Sequence, residues 1–242
     1  MLKVISDSVG FLYDWQTLIA GLIALAGAII TVVALGGQAR DERTRKSRAA
    51  RALLPAALAS IDDYAVACIR WLHEASGPAR RAEQQPHMIA EINLDPPPRF
   101  DSSVAATLRD CVEIVDKAPA KGLAALMSKI QVQSSRIAHL DDYLRRYQCL
   151  DVKLVGLERN IDEFTANAVE IAASANSFFA FARLETNKTP AALDFEALSG
   201  AFHACGLDPI RDVDAWNVLT KRFLPPIPKG QTDEFAGMGR DA

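Results

Sequence analysis

Residues 119–147 read PAKGLAALMSKIQVQSSRIAHLDDYLRRY, and residues 154–182 read LVGLERNIDEFTANAVEIAASANSFFAFA. In the first, Leu123, Leu126, Ile130, Gln133, Ile137, Leu140, Leu144 and Tyr147 alternate at three- and four-residue spacing. In the second, Leu154, Leu157, Ile161, Phe164, Ala168, Ile171, Ala175, Phe178 and Ala182 do the same. That spacing returns side chains to one face of a helix, so each stretch predicts an amphipathic helix with a heptad seam. No proline falls between Pro119, which suits a first helical turn, and Pro190. The helices should therefore run to about 28 and 35 residues, roughly 42 and 52 Å. The break between them, near residues 149–151, is short enough to make them antiparallel neighbours. Ala168, Ala175 and Ala182 would let the two backbones approach closely. Gln133 interrupts the apolar seam. It is either a register-setting polar residue in the core or the point where the seam reaches solvent, and the second reading is preferred.

Working outward, Leu54, Leu58, Ile61, Ala65, Cys68 and Leu72 mark a third seam, on a helix from about residue 53 to 74. Pro55 should kink it or start it anew. Residues 76–100 hold five of the twelve prolines and read as a long loop ending in an extended polyproline piece. Asp101 or Ser102 then caps a helix to about residue 117, with Val104, Leu108, Cys111 and Val115 on one face. No alternating strand pattern appears. The fold class is all-α: a four-helix antiparallel, elongated bundle over residues 53–186. Residues 187–224 predict a short helix pair. Thr189 and Pro190 open the first, Leu193, Leu198, Phe202 and Cys205 line it, and Gly206 closes it. Asp208 and Pro209 open the second, lined by Ile210, Val213, Trp216, Leu219 and Phe223. The pair packs on one end of the bundle or forms a docking module. Residues 225–242, including the P-x-x-P stretch Pro225–Pro228, read as a disordered tail.

Toward the N-terminus the chain changes solvent. Residues 15–39, WQTLIAGLIALAGAIITVVALGGQA, are 25 positions without a charge. As a helix they rise about 37 Å, against a hydrocarbon core of roughly 30 Å. Asp14 is placed to cap this helix, and Tyr13 and Trp15 to sit at a membrane interface. A buried core helix is disfavoured by the length of the uncharged run. A signal peptide cleaved at Ala24-Leu25-Ala26 would strand an apolar half-segment through Leu35, behind only one basic residue, Lys3. Arg40, Arg43, Arg45, Lys46, Arg48 and Arg51 follow, against Asp41 and Glu42. This excess predicts residues 1–14 outside, residues 15–39 across the bilayer, a basic collar over residues 40–52 and the rest in the cytoplasm. The collar could also hold anionic headgroups, at about 1 kcal/mol per side chain. Ala20, Ala24 and Ala28 form a small-residue stripe, a helix–helix interface for a second copy or a by-product of an Ala-rich span. The run YDWQTLIAGLIALAGAIIT and its charged sequel resemble uncharacterised single-pass inner-membrane proteins of proteobacteria, over roughly residues 11–55. The resemblance implies a location in the inner membrane and no activity.

The net charge of −3 hides a collar of +4 and a distal part of −6. That distal part should be repelled by an anionic surface and makes a poor nucleic-acid ligand. Four scattered cysteines, with no C-x-x-C pair, suit free and partly buried thiols in a reducing compartment. No phosphate-binding glycine loop, zinc-helix motif, nucleophile elbow or Glu-x-x-His pair occurs. His139 with Asp141 and Asp142 diverges around a helix and reads as solvated surface, as do His203 with Cys205. Glu158, Asp162 and Glu163 read as an exposed acidic strip. No catalytic residue, cofactor or metal ligand is expected. The expected function is a membrane-anchored helical interaction protein, a scaffold, adaptor or signalling partner. Its expected partners are the lipid bilayer, a second copy and an unidentified protein. The alternatives are a cofactor- or metal-binding bundle and a membrane-acting effector of a toxin or defence system.

Overall fold

The computed structural model describes residues 2–84, 94–147, 157–188, 190 and 192–223. Its elements are α1 (Leu2–Gln84), α2 (Ser102–Ile114), α3 (Lys117–Tyr147), α4 (Leu157–Ser177), α5 (Phe179–Ala182), α6 (Phe195–Ala204) and α7 (Val213–Phe223). The protein is all-α, and no strand occurs among the described residues. The chain divides into two compact units, Met1–Ala49 and Ala50–Ala242.

The first unit is helical from Leu2 onward. Asp14 therefore lies within a helix and not at its start. Every side chain from Leu18 to Lys46 is exposed.

The second unit holds the core. Leu54, Leu58, Ile61, Ala65, Cys68 and Leu72 are each fully buried, and so are Ala75 and Ala79 beyond them. The seam thus continues past residue 74 and carries α1 through Gly77 and Pro78, where a loop was expected. A proline inside a helix removes one ladder bond. Here buried neighbours on both sides outweigh that loss, and α1 runs on through Pro55 in the same way. Residues 94–100 carry no helix, and the Trp71 indole N–H donates to Asp95 O at 2.9 Å. Asp101 caps α2 by accepting from Ser103 N at 2.8 Å. The 225–242 tail, Tyr13, Tyr147, Cys149, Leu154 and Thr189 lie outside the described residues or side chains.

On α3, Leu123, Leu126, Ile130, Ile137, Leu140 and Leu144 are all buried. Gln133 is buried too, at 1% exposed, so the seam does not reach solvent there. Its Nε2 donates to Phe164 O at 2.9 Å on α4, while its Oε1 has no partner. Lys129 Nζ meets Glu170 Oε1 at 2.6 Å. These pairs run in opposite chain directions, so α3 and α4 are antiparallel as the seams predict. Further along, Phe178 of the same pairing lies over Gly122. A Cβ on Gly122 would fall 2.5 Å from Phe178 Cζ, and Phe178 is itself buried and cannot swing away. Gly122→Ala should therefore lower stability by about 1–2 kcal/mol despite the better helix propensity of alanine. Chemical denaturation reads that loss, and an unchanged midpoint would show that the ring moves freely.

The second seam helix is shorter than its spacing predicts. It ends at Ser177, and after Phe178 the four-residue α5 closes with Leu184 in the left-handed region, at φ 64°. Eleven of the 21 residues of α4 are buried. One seam cannot account for so many, because it covers only one stripe of a helix. α6 and α7 both pack along α4 as well. Leu198, Ala201, Phe202, Ala215 and Leu219 of that pair belong to the same core. The C-terminal pair thus completes the bundle and is neither an end cap nor a separate module. Its first helix starts at Phe195 under an Asp194 cap, five residues after Pro190.

Candidate functional site

The uncharged helix, long and apolar enough to cross a membrane, supplies the first feature. Trp15 is 50% exposed, and Ala20, Ala24 and Ala28 follow one another at four-residue intervals on an exposed surface. Arg40, Arg43, Arg45, Lys46 and Arg48 are exposed as well, with Lys46 bonded to Glu42 at 2.7 Å. Their spacing distributes them around the helix as a ring.

Arg51 is placed differently from the collar with which its sequence position groups it. It is 6% exposed. Its Nε donates to Phe181 O at 3.0 Å, and Nη2 donates to the same oxygen and to Thr186 O at 2.8 Å. Nη1 donates to Asn187 Oδ1 at 2.8 Å, and the guanidinium lies 4.0 Å from the Phe181 ring centroid. They lie at the end of α5, where Phe181 O also accepts from Leu184 N at 3.2 Å. Arg51 is therefore a clasp within the second unit, and its guanidinium is not free for lipid.

A cleft of about 240 Å³ is the third feature, formed by α1, α4 and the turn into α7. Ile69, Ile161, Leu207 and Ala215 give it apolar walls, each at most 7% exposed. Arg80 of α1 pairs with Glu158 at 2.5 Å. Arg211 reaches Asp212 at 3.4 Å and Gly206 O at 3.1 Å. Asp208 organises that turn by accepting from Ile210 N at 2.7 Å, so the turn delays α7 to Val213. Asp162 and Asp214 have no hydrogen-bond partner among the described residues. Burial, and then the charges of Asp214 and Glu158, push the Asp162 carboxyl up to about 6.

Asp162 therefore corrects the reading of an exposed acidic strip. Glu158 is half-buried, Asp162 is half-buried in the cleft, and Glu163 is engaged by Arg222. Arg222 also donates to Asn167 Oδ1 at 2.6 Å and approaches Glu170 at 3.4 Å, fastening the last turn of α7 to α4. Arg80 and Asp214 were not legible as site residues. Arg80 fell in the expected loop, and Asp214 required knowing which helix α7 meets. The one sequence signal was a second apolar stripe on α4 at Ala166, Val169 and Ala173.

The Asp162 carboxyl has a pH consequence. An unfolded aspartate titrates near 3.9. Below about pH 4 both states are protonated, and between about pH 4 and 6 the unfolded state ionises first, so Asp162 withdraws stability as pH rises. Asp162→Asn removes that loss. After allowance for solvent screening, the variant should exceed the wild type by about 1 kcal/mol above pH 7 and converge with it below pH 4. Melting curves across that range test it, and a constant difference would exclude the titration as the cause.

Elsewhere, burial pushes the Cys68 and Cys205 thiols up to about 12 and Cys111 up to about 11, which leaves them unreactive at neutral pH. His139 is exposed and stacks on Tyr143, with 6.3 Å between the ring centroids, and His203 is also exposed. Among the described residues no three His, Cys, Asp or Glu side chains are grouped to hold a metal ion. Comparison with protein-family models, with curated proteins and with solved structures finds no match to this chain.

Proposed function

We propose that the protein is a single-pass, membrane-anchored helical interaction protein of a bacterial inner membrane, with the N-terminus outside and the bundle in the cytoplasm. In this reading the bundle is a scaffold, adaptor or signalling partner without catalytic activity. One observation carries the anchoring. From Leu18 to Leu35 the large apolar side chains are between 48% and 69% exposed, and they point to every side of the helix. Water penalises such a surface at about 25 cal/mol per Å², whereas hydrocarbon does not. A helix also satisfies its own backbone, which a bilayer core demands. The basic ring after the span supports the orientation through the positive-inside bias.

The test is membrane extraction at alkaline pH together with C-terminal reporters. Wild-type protein should stay with the membrane pellet. Gly27→Arg, at the middle of the uncharged run, should cost about 2.5–3.5 kcal/mol of insertion and move much of the protein out of that pellet. A fluorescent protein fused after residue 242 should be active and alkaline phosphatase inactive, and the reverse pattern would overturn the orientation. Isolation from solubilised membranes should recover a second copy or a protein partner. Recovery of neither would remove the interaction reading.

A further inference from the structure

We propose that the cleft between α1, α4 and α7 binds a small aliphatic amine in its ammonium form. This goes beyond membrane anchoring and does not depend on it. The charges of the cleft do not balance within it. Arg80 is ion-paired with Glu158 and Arg211 with Asp212, which leaves the half-buried Asp162 and the exposed Asp214 at the cleft with no ion pair of their own, the charge of Arg80 only partly offsetting theirs. Like charges held close in a partly buried place repel, and a cation between them removes the repulsion. Burial first, and then the charges of Asp214 and Glu158, raise the Asp162 carboxyl, and Arg80 offsets only part of that rise.

A second observation, independent of the carboxylates, points to a ligand. Thr165 lines the same cleft and is 8% exposed, yet its hydroxyl has no hydrogen-bond partner among the described residues. That oxygen is not sealed off as the unpartnered atoms of Tyr64, Gln133 and Asn167 are, so it opens onto the cleft. Two carboxylates and one hydroxyl give acceptors for the three protons of an ammonium group, which donates and never accepts. The apolar walls suit a short methylene chain. A volume of about 240 Å³ is below that of drug-sized pockets, which favours a molecule of a few heavy atoms. A metal ion is disfavoured by the lack of a third convergent ligand among the described residues.

The test uses the full chain in detergent micelles at pH 7.5, titrated with n-butylammonium chloride by calorimetry and followed by thermal melting. Potassium chloride at matched ionic strength serves as the control. The expected result is saturable, single-site heat and a melting temperature that rises with the amine and not with potassium. Asp162→Asn and Asp214→Asn should each weaken binding at least about tenfold, and Thr165→Val several-fold. Both asparagine variants remove repulsion, so they should fold at least as stably as wild type, and lost binding cannot be ascribed to unfolding. Heat that does not saturate, stabilisation that potassium reproduces, or binding as tight as wild type in either asparagine variant would each overturn the proposal.

Discussion

Arg51→Ala should lower the stability of the bundle by about 3–5 kcal/mol, the cost typical of breaking a buried charged network from one side. The loss has two parts. The guanidinium makes every one of its bonds inside the second unit, to Phe181 O, Thr186 O and Asn187 Oδ1. Removing it leaves the buried Phe181 O with only its bond from Leu184 N and takes a partner from the half-buried Thr186 O, and an unsatisfied buried group costs about 1–3 kcal/mol. The same bonds hold the turn in which Leu184 keeps a φ of 64°, a conformation that disfavours any residue with a Cβ. For a domain of this size the melting temperature should fall by about 10 °C. Arg51→Lys separates this role from a charge role. A lysine keeps the positive charge but lacks the planar fork that reaches two carbonyls and an amide at once. It should recover less than half of the loss. Full recovery by lysine would return Arg51 to the collar, as a charge that lipid could use. Sedimentation with membranes should be unaltered in both variants, since the span is intact.

Phe202→Ala should cost about 3–5 kcal/mol as well, by the loss of a large buried ring and the cavity left behind. Phe202 is fully buried, and its ring centroid lies 4.9 Å from that of Trp216 on α7. The magnitude matters less than the form of the transition. If α6 and α7 belong to the core that α4 centres, one cooperative unfolding curve shifts as a whole, and amides of α4 lose protection from hydrogen exchange. A detachable module would melt alone and leave α3 and α4 at their original midpoint. Observing two separated transitions would contradict the single core in which Leu198, Phe202 and Leu219 are counted with Leu123 and Ile171.

Much of the fold was legible in spacing. The apolar seam on α3 came out from Leu123 to Leu144, because a three-four repeat leaves an antiparallel pair few other ways to bury its leucines. The Asp101 cap was legible because capping is local chemistry, settled within three residues. The misreadings share a cause. Gly77 and Pro78 signal a break in any local account, yet Ala75 and Ala79 are fully buried on either side and hold the helix together. Nothing in the spacing shows what a buried Gln133 would meet, since its partner, Phe164 O, lies on another helix. Asp162 was assigned to an exposed strip because one seam on α4 was counted where two faces are covered. Of the cleft, the sequence showed one wall. Arg80, Asp162, Thr165 and Asp214 lie up to 134 positions apart and meet only through packing.

The composition along the chain determined the large divisions: an uncharged helix long enough to cross a bilayer, a basic ring after it, and an all-helical distal part. Those follow from solvent preference and helical period, which act on neighbours in sequence. Only the tertiary structure decided that Arg51 leaves the ring to clasp α5, that the C-terminal pair joins the core, and that two unpaired aspartates face one cleft. A charge is surface or core according to what it meets, and what it meets is set by helices distant in the chain.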